Sequence, residues 1–487
     1  MNKYQIGYVE GRWVNFVPPI QGGKFRSRQE LAVAAETECH DDGSSTETSQ
    51  EPSPIFEASE PRLSTIGRMK PRNSSTSRSS SATSISSTQL DCALPKMSRL
   101  DARTRDEIEL DSKSYPPLDP SVQDDIVEKY RQLNERIKAE GLYQCNYSAY
   151  AFEICRYCIL FMSFIYFLRK GWYFLSAVFL GLFWHQLSFT AHDAGHMGIT
   201  HDFTIDTMIG IIVADFIGGL SLGWWKRSHN VHHIITNSPE HDPDIQHMPF
   251  FAVSHRFLKS LRSTYYDRVM TYDSVAKAVI KLQDYLYYPI LGLARFNLYR
   301  LSWEYLLLGQ APRKGPAWWT LWLEIAGQIF FWYWFGYIVM YQSVQGGWNR
   351  FVFLMISHIV TSPVHVQITL SHFAMSTSDL GPRECFPQKM LRTTMDVDCP
   401  PWLDFIHGGL QFQVIHHLYP RLPRHNLRRI QKLVIEFCDE VKIPYTIYGF
   451  VEGNKHVISR LEHVARQAAI LAECQKTMAK SKDYGMH

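Results

Sequence analysis

Apolar positions in this chain gather into long unbroken runs from residue 148 onward. Ser148–Leu168 and Trp172–Thr190 form one pair, with Arg169, Lys170 and Gly171 as the turn between them. Trp318–Tyr341 and Phe351–Leu370 form a second pair, joined by the polar stretch Gln342–Arg350. Each run is close to the roughly 20 residues a helix needs to cross a hydrocarbon core. The first contains Glu153 and Arg156, which are expected to pair or to lie at the interface. Met208–Gly223 is shorter, carries Asp215 and ends at Trp224 and Trp225, where an interfacial aromatic belt would sit. Elsewhere the period is that of amphipathic helices. Val122, Ile126, Tyr130, Leu133 and Ile137 fall on one stripe, with Ser121 and Asp124 as a capping box and Gly141 as a stop. Asn426–Val441 and Val457–Ala479 read as two more such helices, covering the polar end of the spans. The pattern predicts an all-α, multi-span helical membrane protein, with about four transmembrane helices as two hairpins and a cytosolic helical cap.

Composition changes this picture mainly at the front. From about Ser27 to Pro117 the chain turns to Ser, Thr, Pro and charge, too poor in apolar residues to fold, and reads as a solvated linker. The expected organisation is residues 1–26 as a compact aromatic segment, 27–120 as the disordered linker, 121–442 as the membrane domain and 443–487 as a C-terminal cytosolic tail. A formal charge of +3 argues against nucleic acid as a partner. Nine cysteines are scattered without a zinc pattern, and Cys155 with Cys158 in an apolar run reads as two buried thiols. The N-terminus has no apolar core of signal-peptide type, so membrane entry is expected from the internal spans.

Three histidine clusters sit beside these runs: HDAGH at His192–His196, HNVHH at His229–His233 and QFQVIHH at Gln411–His417. Residues four apart in a helix point only about 40° from each other. His192 thus shares a face with His196, and His229 with His232 and His233; Gln413, His416 and His417 repeat that last spacing. Metal ligands must meet on one side of a bilayer. Met208–Gly223 is therefore expected to be embedded without crossing, and the second pair of spans returns the chain to the side it left. The basic loop Lys226–Lys314 favours the cytosolic side, with Arg169 and Lys170 a mild vote against. His358, His365 and His372 lie seven apart and share one face, which makes His372 a further candidate ligand. About eight ligands point to two metal ions, and a histidine-rich pair suits iron activating O2 beside an apolar substrate. Asp193, Asp242 and Asp244 are candidates to orient ligand imidazoles through their second nitrogens. Arg424, Arg428 and Arg429 are available for lipid head groups or an acidic partner, or form a solvated basic face.

HDAGH, HNVHH and QVIHH resemble the three boxes of membrane fatty-acyl desaturases, and Gln413 in place of the first histidine of the third box resembles the front-end branch. GRWVNFVPPIQGGKFR and EHDPDIQHMPFFAVS look like fungal sphingolipid delta-8 desaturases. The resemblance implies a di-iron enzyme of the endoplasmic reticulum membrane that uses O2 and two electrons from cytochrome b5 and its reductase to desaturate a lipid chain, here the long-chain base of a ceramide. It implies His192, His196, His229, His232, His233, His372, His416 and His417 as iron ligands, with Gln413 and Asp193 beside or in the first shell. The alternatives are a front-end desaturase of acyl-lipid or acyl-CoA chains, lipid hydroxylation, and a catalytically silent relative. Front-end enzymes usually carry a fused cytochrome b5 domain with a His-Pro-Gly-Gly haem motif, which does not occur here. Tyr4–Trp13 resembles the end of that domain, so either the sequence is truncated or the electrons come from a separate donor.

Overall fold

A computed structural model of the chain describes residues 99–484, with side chains to 477, and a short antiparallel pairing of Ile20–Gln21 with Lys24–Phe25. The rest of the expected 1–26 segment, and the expected linker up to residue 98, lie outside the described residues.

The last part of the expected linker is a helix, α1 (Arg99–Ser114). It has no apolar stripe to betray it, and polar contacts dock it. Thr104 lies 2.8 Å from His255, Arg460 lies 3.5 Å from Glu107, and the Ser376 hydroxyl donates to Asp111. Burial pushes the Glu107 carboxyl up, but a hydrogen bond from His255 and the Arg460 charge outweigh it and hold the group at about 2.

The expected amphipathic helix is α2 (Pro120–Ala139), and Ile126, Leu133 and Ile137 are its buried face. The capping box is not made: the helix starts at Pro120, with Asp119 as an extended N-cap and no side-chain cap bond. Proline fits the first helical position, where no backbone donor is needed, so the N-cap falls at Asp119, two residues before Ser121. Gly141 adopts φ +68° just beyond the end, as a stop should.

Among the described residues three helical segments are long and apolar enough to cross a membrane: α3 (Tyr147–Arg169), α4 (Tyr173–Gly195) and Gly347–Phe373. The last is divided by Pro363 into α9 (Gly347–Thr361) and α10 (Pro363–Phe373). A fourth is possible if the bent pair Phe203–Ile217 and Leu222–Ile234 is one span. The expected span Trp318–Tyr341 is helical but is not one of the three; α8 (Thr320–Phe331) continues there as a π-helix, Trp332–Ser343. The outer face of α3 exposes Phe152, Ile159 and Met162, and with them Cys155 and Cys158. The expectation of two buried thiols is therefore overturned: both fall on the side of the helix that turns away from the bundle.

The segment expected to be embedded without crossing is a broken helix. α5 (Phe203–Ile211) runs on as π-helix Ile212–Ile217, the chain breaks at Gly218–Ser221, and α6 (Leu222–Ile234) leaves at 118°. Freed backbone groups in an apolar surrounding need partners. Asp215 accepts from the Leu222 N–H at 3.2 Å, and Glu324 accepts from the Gly223 N–H at 3.0 Å and from the Ser221 hydroxyl. On the other side of the break, Arg295 on α7 (Gln283–Leu307) donates to the Gly218 carbonyl. Carboxylates at a helix start and a guanidinium at a helix end also match the two poles of the helix dipole.

The cover consists of α11 (Phe386–Thr393), α12 (Gln413–Leu418), α13 (Leu427–Val441) and α14 (Phe450–Tyr484). Ile415, Leu418, Ile430 and Val434 pack with the buried face of α2 in one apolar cluster. Among the described residues short two-stranded pairings accompany the helices; Asp396–Asp398 pairs in parallel with Ile447–Gly449.

Gly219 sits in the break at φ +71°, and a Cβ there would lie 2.4 Å from the Phe331 ring. Gly219→Ala is expected to destabilise the protein by more than about 1 kcal/mol, read as a lower thermal midpoint in detergent. Gly336→Ala, whose Cβ would meet only Trp332 at 3.5 Å, should leave the midpoint within error.

Candidate metal centre

The histidines reach the site from four helices. The last turn of α4 carries His192, with His196 as its C-cap. α6 carries His229, His232 and His233. α10 carries His372 in its last turn, and the short α12 carries His416 and His417. α4 and α6 meet closely because Gly195, inside HDAGH, has no side chain: a Cβ there would lie 2.2 Å from the Trp225 ring.

All eight imidazoles meet in one cage. Nitrogens of His192, His196, His229 and His416 lie within 4.8 Å of one another, and so do those of His232, His372 and His417. His233 stands between the two groups, its ring stacked on His417 at 4.2 Å and 4.6 Å from His196. A third, overlapping set is His229, His232 and Asp244.

Several of these nitrogens have no protein partner. Nε2 of His196, His416 and His417, and Nδ1 of His233 and His372, are buried without a hydrogen bond. Each such orphan would cost roughly 1–3 kcal/mol if nothing met it. The Nε2 atoms of His232 and His372 face each other at 3.3 Å, and those of His229 and His233 at 3.1 Å. Burial, reinforced by neighbouring imidazoles, holds His416 and His417 well below the ordinary histidine value, so both stand neutral, the form that binds metal. Converging neutral lone pairs without donors fit metal cations, and the two groups fit two of them.

The outer contacts aim the rings. His232 Nδ1 lies 2.8 Å from Asp242, His229 Nδ1 lies 3.0 Å from Asp244, and His417 Nδ1 lies 3.1 Å from the Thr236 hydroxyl. Asp242 also accepts the backbone N–H groups of Asn237 and Asp244, which fixes the loop after α6. Both aspartates thus sit where a ligand-orienting carboxylate is expected. Asp193 does not: its nearest oxygen is 3.9 Å from His192 Nδ1, too far for a direct hydrogen bond, and its carboxylate is held by Tyr150 and Arg424. Gln413 is buried at the first position of α12, one turn before His416 and His417.

Arg424, expected on a surface, is buried and bonded to Glu153 and Asp193, because α3 and α4 each bring a carboxylate inward to the segment after the third cluster. Arg428 pairs with Asp404. Glu153 faces inward to Arg424 and to His425, at 3.0 Å, with Arg156 more distant at 3.7 Å. Asn237 was not among the sequence candidates, yet it clamps the cage. At φ +59° its amide donates to the carbonyls of His372, at 2.8 Å, and of Thr393, at 3.2 Å. Asparagine tolerates the left-handed conformation, but nothing in the local sequence marks that it occurs here. Asp396 is another such residue, accepting from the Val414 N–H at 2.9 Å and so seating α12.

An apolar cavity of about 150 Å³ adjoins the cage, lined by Trp184, Leu187, Val213, Trp225 and Ile368 and reaching His192. His365 is also in its wall, whereas His358 packs flat on Phe296 and bonds to Tyr299 at 3.2 Å.

Comparison with known proteins agrees with this geometry. Residues 170–449 match the family model described as fatty acid desaturase. The chain belongs to the fatty acid desaturase family. It is a multi-pass membrane desaturase with a histidine-rich metal site. The family member is 61% identical to the Delta 8-(E)-sphingolipid desaturase of Emericella nidulans, over 100% of this chain and 87% of that protein. It is 46% identical to the Delta 8-(E)-sphingolipid desaturase of Candida albicans, over 97% and 86%. It is 37% identical to the Delta(8)-fatty-acid desaturase of Helianthus annuus, over 71% and 74%.

Removing an outer-shell partner of a ligand typically weakens metal binding 10–100-fold. Asp242→Asn should therefore weaken metal retention by about 10–100-fold, measured by chelator titration with elemental analysis. Glu304→Gln, which breaks an exposed pair with Arg300, should leave retention unchanged.

Proposed function

We propose that this desaturase introduces the delta-8 double bond into the long-chain base of sphingolipids. The observation that carries the reading is 61% identity, along the whole chain, to a Delta 8-(E)-sphingolipid desaturase, in a chain whose histidines form an intact cage. His192, His196, His229 and His416 would hold one iron and His232, His372 and His417 the other, with His233 between them and Gln413 close by. When bound, the iron pair supplies O2 activation, with two electrons from cytochrome b5 and its reductase, to remove two hydrogens from an unactivated chain while O2 is reduced to water.

The protein's own part is placement. The cavity walls give a lipid chain an apolar path that ends at the cage through His192, and apolar burial there excludes water from the reacting carbons. Asp242 and Asp244 hold His232 and His229 so that their Nε2 atoms face inward. The cage faces the cytosol, and the protein resides in the endoplasmic reticulum membrane. The 118° break and the basic loop support the orientation, because the break lets HDAGH and HNVHH lie on one side together with that loop. Asp193 lies outside the metal contacts, paired with Arg424.

Expression in a host whose sphingoid bases lack the delta-8 double bond should yield the unsaturated base by mass spectrometry, with the fatty acids unchanged. A product found only among fatty acids would instead assign an acyl front-end desaturase. His232→Ala should abolish the product while the protein still inserts in the membrane; undiminished product would remove His232 from the ligand set.

A further inference from the structure

Three of the ligand histidines have an aspartate beside Nδ1, but the three are not treated alike. His229 and His232 bond directly to Asp244 and Asp242. His192 does not bond directly to Asp193, although the two are neighbours in sequence: the gap is 3.9 Å. Asp193 is held instead through its other oxygen, the one farther from His192. That oxygen, Oδ2, accepts from both the Tyr150 hydroxyl and Arg424 Nη1. The same guanidinium makes further contacts through both terminal nitrogens and one face. Nη1 also donates to the Phe189 carbonyl at 3.0 Å, Nη2 donates to Glu153 and to the Thr190 hydroxyl at 3.4 Å, and the Tyr150 ring packs 5.0 Å from its centre. Glu153 is itself held by Tyr157 at 3.0 Å and by His425 at 3.0 Å.

A carboxylate bonded to the second nitrogen makes an imidazole a stronger donor and fixes its tautomer. A carboxylate beside a ligand but claimed by an arginine does neither. We infer that Arg424 is a positioning residue for the metal centre: by holding Asp193 away from His192, it keeps His192 a weaker donor than His229 and His232 and so tunes the four-histidine position alone. Arg424 touches no group at the three-histidine position, which His232, His372 and His417 form. Its side chain also borders the same small gap as His192, His196 and His416. The inference rests on the proposed iron binding.

The test uses full-length protein purified in detergent and loaded with Mössbauer-active iron, in four forms: wild type, Arg424→Met, Arg424→Lys and Arg424→Met/Asp193→Asn. Wild type should bind two irons with two separable signals. Arg424→Met frees Asp193 for His192 and should move one signal while the other keeps its position. Arg424→Lys cannot bridge both carboxylates in the same way and should move the same signal. Adding Asp193→Asn removes the competing carboxylate and should return that signal toward the wild-type position. A purely structural arginine would also be relieved by neutralising its buried partner, but as a recovered thermal midpoint, without one signal moving while the other keeps its position. The inference is overturned if neither signal moves, if both move, if Asp193→Asn gives no return, or if none of the three variants folds. Wild-type protein that binds no iron would overturn the functional reading itself, a result distinct from all of these.

Discussion

Facing lone pairs of neutral imidazoles repel one another unless a shared proton or a cation lies between them, and this protein places eight imidazoles in a single cage. The 3.1 Å and 3.3 Å approaches between facing Nε2 atoms, and the buried nitrogens without donors, make a cation the natural partner of the fold at this point. The rest of the molecule can be understood as what holds that arrangement together. α4 and α10 raise their last turns to it, the bent α6 crosses it, and α12 closes it. Three of the four contributing helices are fixed by a contact outside the cage. Asp242 and Asp244 aim α6, Asn237 ties α6 to the end of α10, and Asp396 seats the backbone of α12.

Much of this was legible in the sequence. The spacing of His192 with His196, and of His229 with His232 and His233, needs only helical geometry to become a shared face. Hydropathy located α3, α4 and the α9–α10 span within a few residues. Parity of crossings singled out Met208–Gly223 as embedded without crossing, and the structure turns the chain by 118° there. His372 followed from its seven-residue register with His358 and His365.

The unread parts share a physical cause: they depend on contacts between residues far apart in sequence. Arg424 looks like one more cation on a basic helix until Glu153 and Asp193, more than two hundred positions earlier, are folded against it. α1 carries no apolar period, so its docking through Glu107 and Asp111 leaves no trace in a hydropathy pattern. Cys155 and Cys158 lie in an apolar run, but in a membrane helix such a run does not distinguish the face toward lipid from the face toward protein. Proline at position 120 decides the start of α2 against a plausible capping box one residue later.

The break before α6 has one more consequence. Its capping groups, Asp215, Glu324 and Arg295, are ionisable residues buried among apolar helices, and such residues ordinarily invite assignment to the chemistry. Here they close off loose backbone ends instead, at a joint that aims the whole second histidine cluster. A mutational survey scored by product formation alone would rank these three with the ligands, so architecture and reactivity separate in this molecule only when bound metal is counted alongside turnover.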